Sequence, residues 1–238
     1  MAFNVGGNNI TYNHINYYNN LNIVRDSLLT YVDAGIIASY SGSGTTWTDI
    51  SNNSKNGTLT NGPTFVTGSG GAIVLDGSDD TIEFGSSFSI NTFSICVWVN
   101  AGSTQGVYAD ILDNNHRGGT SYVCQQDYTN TNQFGFGVGD GSAGSSTSVF
   151  TLTANTWYFL TFTFQNQTKG YINGTLFSTG AVCGNPVYTG IESFRLGGWG
   201  GGGRNFNGKY GSMIFYTRAL SATEVLQNFN ATRTRFGI

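Results

Sequence analysis

Short runs of alternating apolar and polar residues, bounded by Gly, Asn or Ser, recur along the 238-residue chain. That spacing predicts β-strands with one face buried. In TFSICVWVN, Phe93, Ile95, Val97 and Val99 fall on one face, and Ser94, Cys96 and Trp98 on the other. In WYFLTFTF, Tyr158, Leu160, Phe162 and Phe164 form a wholly apolar face expected to meet the core, whereas Trp157, Phe159, Thr161 and Thr163 mix aromatics with threonines. KGYINGTLFS reads as a hairpin, because Asn173-Gly174 supplies the two positive-φ positions of a type I′ turn. SLLTYVDAG, GAIVLDG, ESFRLGGW and KYGSMIFYTR add further strands. The pattern predicts an all-β sandwich or barrel.

One segment follows the helical period. Ser221 and Glu224 have the spacing of a capping box, and Leu220 and Val225 that of a hydrophobic staple, predicting a helix over roughly 222–229. Residues 1–26, rich in Asn and Tyr, lack strand alternation. They are expected to form an arm for attachment or oligomerisation, with one domain over 27–238.

Composition narrows the class. Charged residues make up 10%, against ~25% in ordinary globular proteins, so Asn, Ser, Thr and 35 glycines must carry the polar surface. A net charge of −3 gives no basic footprint for nucleic acid. No apolar run approaches the ~18 residues of a membrane span, and the N-terminal residues lack the pattern of a secretory signal. Cys96 reads as a buried thiol. A Cys124–Cys183 disulfide is conceivable, but nothing in the sequence implies an oxidising compartment.

The order of these pieces resembles a known family. LLTYVDAG, then SYSGSGTTWTDISNNSKNGTLTNGPTF, GAIVLDGSDDTIEF, TFSICVWV, NTWYFLTFTF and the stretch from FRLGGW to the C-terminus are similar to a laminin-G-like domain of the concanavalin A-like lectin/glucanase superfamily. In particular they resemble versions found in virion proteins of tailed bacteriophages. The most specific blocks are Trp47 to Leu59 and Tyr216 to Glu224. The resemblance covers roughly residues 27–238 and implies a two-sheet antiparallel jelly-roll of about a dozen strands, to which the capped segment adds a short C-terminal helix. The arm has no counterpart in the family pattern.

Candidate sites follow. Glucanases of this superfamily carry paired carboxylates in an E-x-D-x-x-E pattern. No such triplet occurs here; Glu83, Glu192 and Glu224 are isolated, and His14 and His116 are the only histidines. No enzymatic activity is therefore expected. In GGWGGGGR the glycines match G-x-G-x-x-G only by accident, since strands are expected on both sides. This stretch reads as a rim loop, or as a ligand loop with Trp199 stacking on a sugar and Arg204 hydrogen-bonding to it. Asp127 and Tyr128 are further binding candidates. Asp76, Asp79 and Asp80 offer oxygens to calcium, which laminin-G relatives bind at a loop rim, although ordinary turn chemistry accounts for them too. Asp110, Asp113 and Asp140 are expected in loops. Trp47 is expected to pack against the sandwich rim, with Asp49 holding nearby amides. Arg233, Arg235 and Phe236 either pin the tail to a partner or cap the sandwich edge.

The leading expectation is a non-enzymatic virion structural protein: a capsid decoration, fibre or tail appendage on the virion surface, assembled in the host cytoplasm. Its partners would be other virion proteins and its own copies, with a trimer as the expected oligomer. The alternative is a carbohydrate-binding adhesin or receptor-binding module for host surface glycans. No cofactor is required, though calcium fits.

Overall fold

The computed structural model describes residues 21–86, 88–114, 119–126, 131–142, 144–189 and 193–238. Along the first half run β1 (Leu28–Asp33), β2 (Thr46–Trp47), β3 (Gly57–Thr60), β4 (Thr64–Val66), β5 (Ala72–Asp76), β6 (Thr81–Glu83), β7 (Phe93–Ala101) and β8 (Asp110–Asp113). The second half holds β9 (Thr120–Gln126), β10 (Gln133–Asp140), β11 (Ser145–Ser146), β12 (Phe150–Thr151), β13 (Trp157–Phe164), β14 (Thr168–Ile172), β15 (Thr175–Thr179), β16 (Arg195–Leu196) and β17 (Asn207–Tyr216). Helix α1 (Ala222–Thr232) and a 3-10 turn (Arg233–Phe236) close the chain. The strand count exceeds the expected dozen because β2, β11, β12 and β16 are two-residue pairings.

The strands form two antiparallel sheets. One runs β15-β14-β13-β7-β17-β5-β4, with β1 also on β17; the other runs β11-β10-β9-β8-β16-β6-β3-β2, with β12 also on β10. The fold is thus the expected all-β sandwich. Between the sheets lies the main core. It takes Phe93, Ile95, Val97 and Val99 from β7 and Leu160, Phe162 and Phe164 from β13, as the alternation predicts. The turn between β14 and β15 has Asn173 at φ 49° and Gly174 at φ 80°, the expected type I′ signs.

Strands β7 and β13 are apolar on both faces because the first sheet is covered on both sides. On its outer face Cys96, Trp98, Phe159, Ile214 and Tyr216 join Val225 and Phe229 of α1 in a second cluster. Ser221 accepts from the Glu224 amide, and the Glu224 carboxylate accepts from the Ser221 amide. Leu220 and Val225, placed to form the staple, are both buried in that cluster. The helix runs three residues beyond the expected end because its last turn is held from within: Trp98 donates to Thr232 Oγ1 at 2.8 Å. Among the described residues, no helix is long and apolar enough to cross a membrane.

The tail caps the sheet. Phe236 stacks on Trp98 at 4.0 Å and contacts Trp157 at 4.8 Å. Arg235 pairs with Asp33 and donates to the Gly211 carbonyl at 3.0 Å. Of the two readings of Arg233, Arg235 and Phe236, the structure shows the sandwich cap for the last two, while Arg233 lies 5.7 Å from the Phe229 ring. Residues 21–26, assigned above to the arm, also touch α1. Ile23 and Val24 are buried. The Val24 amide donates to Asn228 Oδ1 at 2.8 Å, and the Val24 carbonyl accepts from the Tyr216 hydroxyl at 3.0 Å. Residues 1–20 lie outside the described residues.

Trp47 is fully buried in the main core. Beside it, Asp49 accepts from the Tyr31 and Ser51 amides through Oδ1, at 2.9 and 2.8 Å. Its Oδ2 accepts from the Lys55 amide at 3.0 Å and the Ser51 hydroxyl at 2.9 Å. This carboxylate organises the 49–55 loop, the role anticipated for it. All three cysteines are free thiols, Cys96 and Cys124 buried, so the conceivable Cys124–Cys183 disulfide is not formed.

Candidate functional site

Register across the second sheet defines its outer face. Leu59, Ile82, Leu196 and Leu112 are neighbours on adjacent strands and enter the core. The next row, Thr58, Glu83, Arg195 and Asp113, therefore lies on the opposite face. Arg195 donates to Glu83 across this row at 3.2 Å. Asp110 and Asp113 thus sit on a strand and are buried, contrary to the expectation of loops. The alternation failed there because a four-residue strand buried throughout carries no polar face to read. Asp110 accepts from Gln125 at 2.8 Å. Burial, reinforced by Asp113, pushes its carboxyl well above the usual range, against the pull of Gln125 and Arg204. Asp140 closes β10 and likewise binds backbone: it accepts from the amides of Ser142 and Gly184, both at 2.9 Å.

At the β3–β6–β16 end, this outer face is the floor of an open depression of about 350 Å³. Thr60, Thr81, Glu83 and Arg195 line the floor, Ser78 and Asp79 one wall, and Trp199, Gly202, Gly203 and Asn205 the other. The walls come from loops far apart in sequence, and Asn205 ties them by donating to the Ser78 carbonyl. The aspartate turn and the glycine-rich loop, separate candidates in the sequence, are therefore two sides of one place.

The glycine-rich loop leaves β16 and returns as β17, so it has strands on both sides as expected. It closes through the Phe206 amide on the Gly197 carbonyl at 2.9 Å and the Gly202 amide on the Trp199 carbonyl at 3.0 Å. A Cβ at Gly201 would lie 2.2 Å from the indole of Trp199, so a larger residue there would displace the ring. The Arg204 guanidinium stands 4.6 Å from the Trp199 ring and 5.5 Å from the Tyr108 ring. Trp199 is partly exposed and lines the depression.

On the opposite wall, ligand oxygens of Asp76, Asp79 and Asp80 lie within 4.8 Å of one another. That spread suits a hard divalent cation such as calcium, whose oxygens stand at ~2.3–2.6 Å. Asp80 is almost buried, and burial, with the charges of Asp76 and Asp79 adding to it, raises its carboxyl above the usual range, opposed by the Asp76 amide. Asp76 Oδ1 also accepts from the Ser78 amide at 2.7 Å, so the turn chemistry is present as well. Asp127 and Tyr128 lie outside the described residues, as do His14, His116 and Glu192. Ser221 and Glu224 belong to the helix cap on the far sheet, where Glu224 also binds Arg218 at 2.6 Å.

Asn61, Glu83, Tyr108, Arg195 and Asn205 were not anticipated here. Thr81-Ile82-Glu83 and Phe194-Arg195-Leu196 did carry the signal, since a polar residue beside a single core apolar residue marks an outward position.

Two antiparallel sheets with a polar outer face and a loop rim define a lectin-like sandwich. The chain belongs to the Concanavalin A-like lectin/glucanases superfamily: a laminin G family model of that superfamily matches residues 76–226, more than half of the sequence. The Trp47–Leu59 block precedes that match. No curated protein matches the sequence. Among solved structures, domain 4 of the extracellular GH43 arabinanase AbnA from Geobacillus stearothermophilus, in complex with arabinotriose, is similar with a TM-score of 0.63 at 18% identity, over 87% of this chain and 98% of that domain. The binding domain of Paraclostridial Mosquitocidal Protein 1 gives 0.67 at 17% identity, over 87% of this chain and 52% of its own. The binding domain of botulinum neurotoxin DC, in complex with SialylT, gives 0.65 at 14% identity, again over 87% and 52%. The chain thus spans nearly all of the arabinanase domain and about half of each toxin domain.

Proposed function

We propose that this chain is a carbohydrate-binding sandwich that takes a saccharide into the depression between the 76–80 and 199–205 loops, without catalysing a reaction there. The observation that carries this reading is the convergence of the two loops over a polar sheet face, with an indole at one edge. A sugar offers hydroxyls around its rim and C–H faces above and below. Glu83, Arg195, Asn61 and Asn205 supply donors and acceptors for the first, and Trp199 an aromatic surface for the second. Asp76, Asp79 and Asp80 would hold a calcium ion, which supplies an electrophilic partner for sugar oxygens. The structures in complex with arabinotriose and with SialylT support a saccharide as the ligand class.

The absence of catalysis rests on how the described carboxylates are used. Glu83 is paired with Arg195, Asp110 is wholly buried, and Glu224 caps a helix on the other sheet. The carrier we propose is a phage particle, with the sandwich displayed as a capsid decoration, fibre or tail appendage in a homotrimer. Low charge and the Trp47–Leu59 and Tyr216–Glu224 blocks support that placement. Screening the protein on a glycan array, with calcium and with chelator, tests the binding reading; silence in both arms would leave plain architecture as the role. Antibody labelling of purified particles tests the placement, and recovery of the protein solely as a secreted free monomer would oppose it.

A further inference from the structure

We infer that Arg204, clamped by Tyr108, selects saccharides that carry a carboxylate over neutral ones, an inference that rests on the binding reading above. Four observations on the Tyr108 side of the rim carry it.

First, the guanidinium lies over two aromatic rings, 4.6 Å from the Trp199 centroid and 5.5 Å from the Tyr108 centroid. Stacking occupies the faces of a guanidinium and leaves its in-plane N–H fork available. Second, that fork has no hydrogen-bond acceptor and no ion pair among the described residues; the Arg204 backbone carbonyl accepts from the Asp110 amide at 2.8 Å. Arg195, by contrast, already gives Nε to Glu83 and Nη1 to the Ser193 carbonyl, which leaves it part of its fork. Third, both Tyr108 and Arg204 have φ near 58°. Non-glycine residues rarely occupy this left-handed region, and those that do cluster at ligand clamps and active sites.

Fourth, the clamp is anchored. Gln105 Nε2 donates to the Asn207 carbonyl at 2.7 Å, and the Asn207 amide donates to Gln105 Oε1 at 2.9 Å. The Asn207 side chain reaches the Thr104 carbonyl at 3.2 Å. The 102–110 loop and the base of the glycine-rich loop are thus fastened together, and Tyr108 rides on that fastening. Asp110, though near Arg204, is wholly buried and forms no ion pair with it. A fixed planar cation with a free fork matches a carboxylate, which accepts two parallel N–H bonds from such a group. Tyr108 acts as a positioning residue: it holds Arg204 in register with the indole without itself contacting the carboxylate.

The full chain would be titrated calorimetrically with paired probes: sialyllactose against lactose, trigalacturonate against its methyl ester, and a sulfated lactose. We expect each carboxylated sugar to bind roughly tenfold to a hundredfold tighter than its neutral partner, the span of a charge-assisted hydrogen bond. Arg204→Gln and Tyr108→Ala should erase the preference, whereas Tyr108→Phe should keep it. Arg204→Lys should keep part of the preference and lose the advantage of carboxylate over sulfate. Thermal melting and near-ultraviolet circular dichroism confirm folding of each variant; should Tyr108→Ala unfold, Arg204→Gln decides. Equal binding of acidic and neutral sugars, with both lost in Trp199→Ala, would overturn this inference and leave the site assignment standing. So would a preference that survives Arg204→Gln. Binding of none of the probes would overturn both.

Discussion

Replacing Trp47 by Ala should destabilise the sandwich without touching ligand binding. The indole is fully buried in the main core. Its Nε1 has no acceptor among the described residues, so its removal sacrifices no hydrogen bond. What is lost is packing and transfer free energy, together with the cavity left behind, which for a buried Trp amounts to ~3–5 kcal/mol. In a domain of this size each kcal/mol moves the melting temperature by ~2–4 °C, so a fall of roughly 6–20 °C is expected. Urea denaturation followed by circular dichroism should show a lower midpoint at an unchanged slope. Glycan affinity of the folded fraction should equal that of the parent, since Trp47 belongs to the core and not to the depression. Loss of binding at unchanged stability would show that Trp47 is a ligand platform after all.

Other perturbations follow from the same contacts. Asp49→Ala strips four hydrogen bonds from the 49–55 loop and should cost about 3 kcal/mol or more in denaturant melts, whereas Asp49→Asn should retain a part. Ser221→Ala removes the N-cap of α1 and should cost about 1 kcal/mol by the same assay. Hydrogen bonding from Arg218, assisted by Ser221, lowers Glu224 from 4.5 to about 2. A depressed carboxylate stabilises the fold above its unfolded pKa and loses that contribution as pH falls through its folded pKa. The stability difference between the parent and Glu224→Gln should therefore be full above about 4.5 and vanish towards about 2 in urea melts across that range. Thiol titration should find Cys183 reactive in the native protein, with Cys96 and Cys124 reacting on unfolding; burial pushes Cys96 to about 12.

Much of this fold could be read from local pattern. The two faces of β7 and β13, the Asn173-Gly174 turn and the Ser221–Glu224 cap are each decided by residues within a few positions of one another. The depression is not local. It exists because β16 inserts between β6 and β8, which brings residue 79 beside residue 199. No window along the chain contains that pairing. Strand β8 hid for another reason: Asp110 and Asp113 mimic a loop, and their burial depends on what covers the sheet. The tail was ambiguous because Arg235 and Phe236 would suit a partner's surface as well as their own; Asp33 and Trp98 decide it. Tyr108 stood unremarked in a polar loop, although a lone aromatic among Ser, Thr, Gln and Gly is the same signal that singled out Trp47.

The assignment of the rim as a saccharide site comes down to one comparison: calorimetric affinity of parent and Trp199→Ala for a saccharide selected on the array, with melting recorded for both. Trp199 is partly exposed, so its loss should leave melting nearly unchanged while affinity falls by about tenfold or more, the share of one aromatic surface in a sugar site. Equal affinity for the two proteins would place any saccharide site elsewhere on the sandwich and remove the central claim.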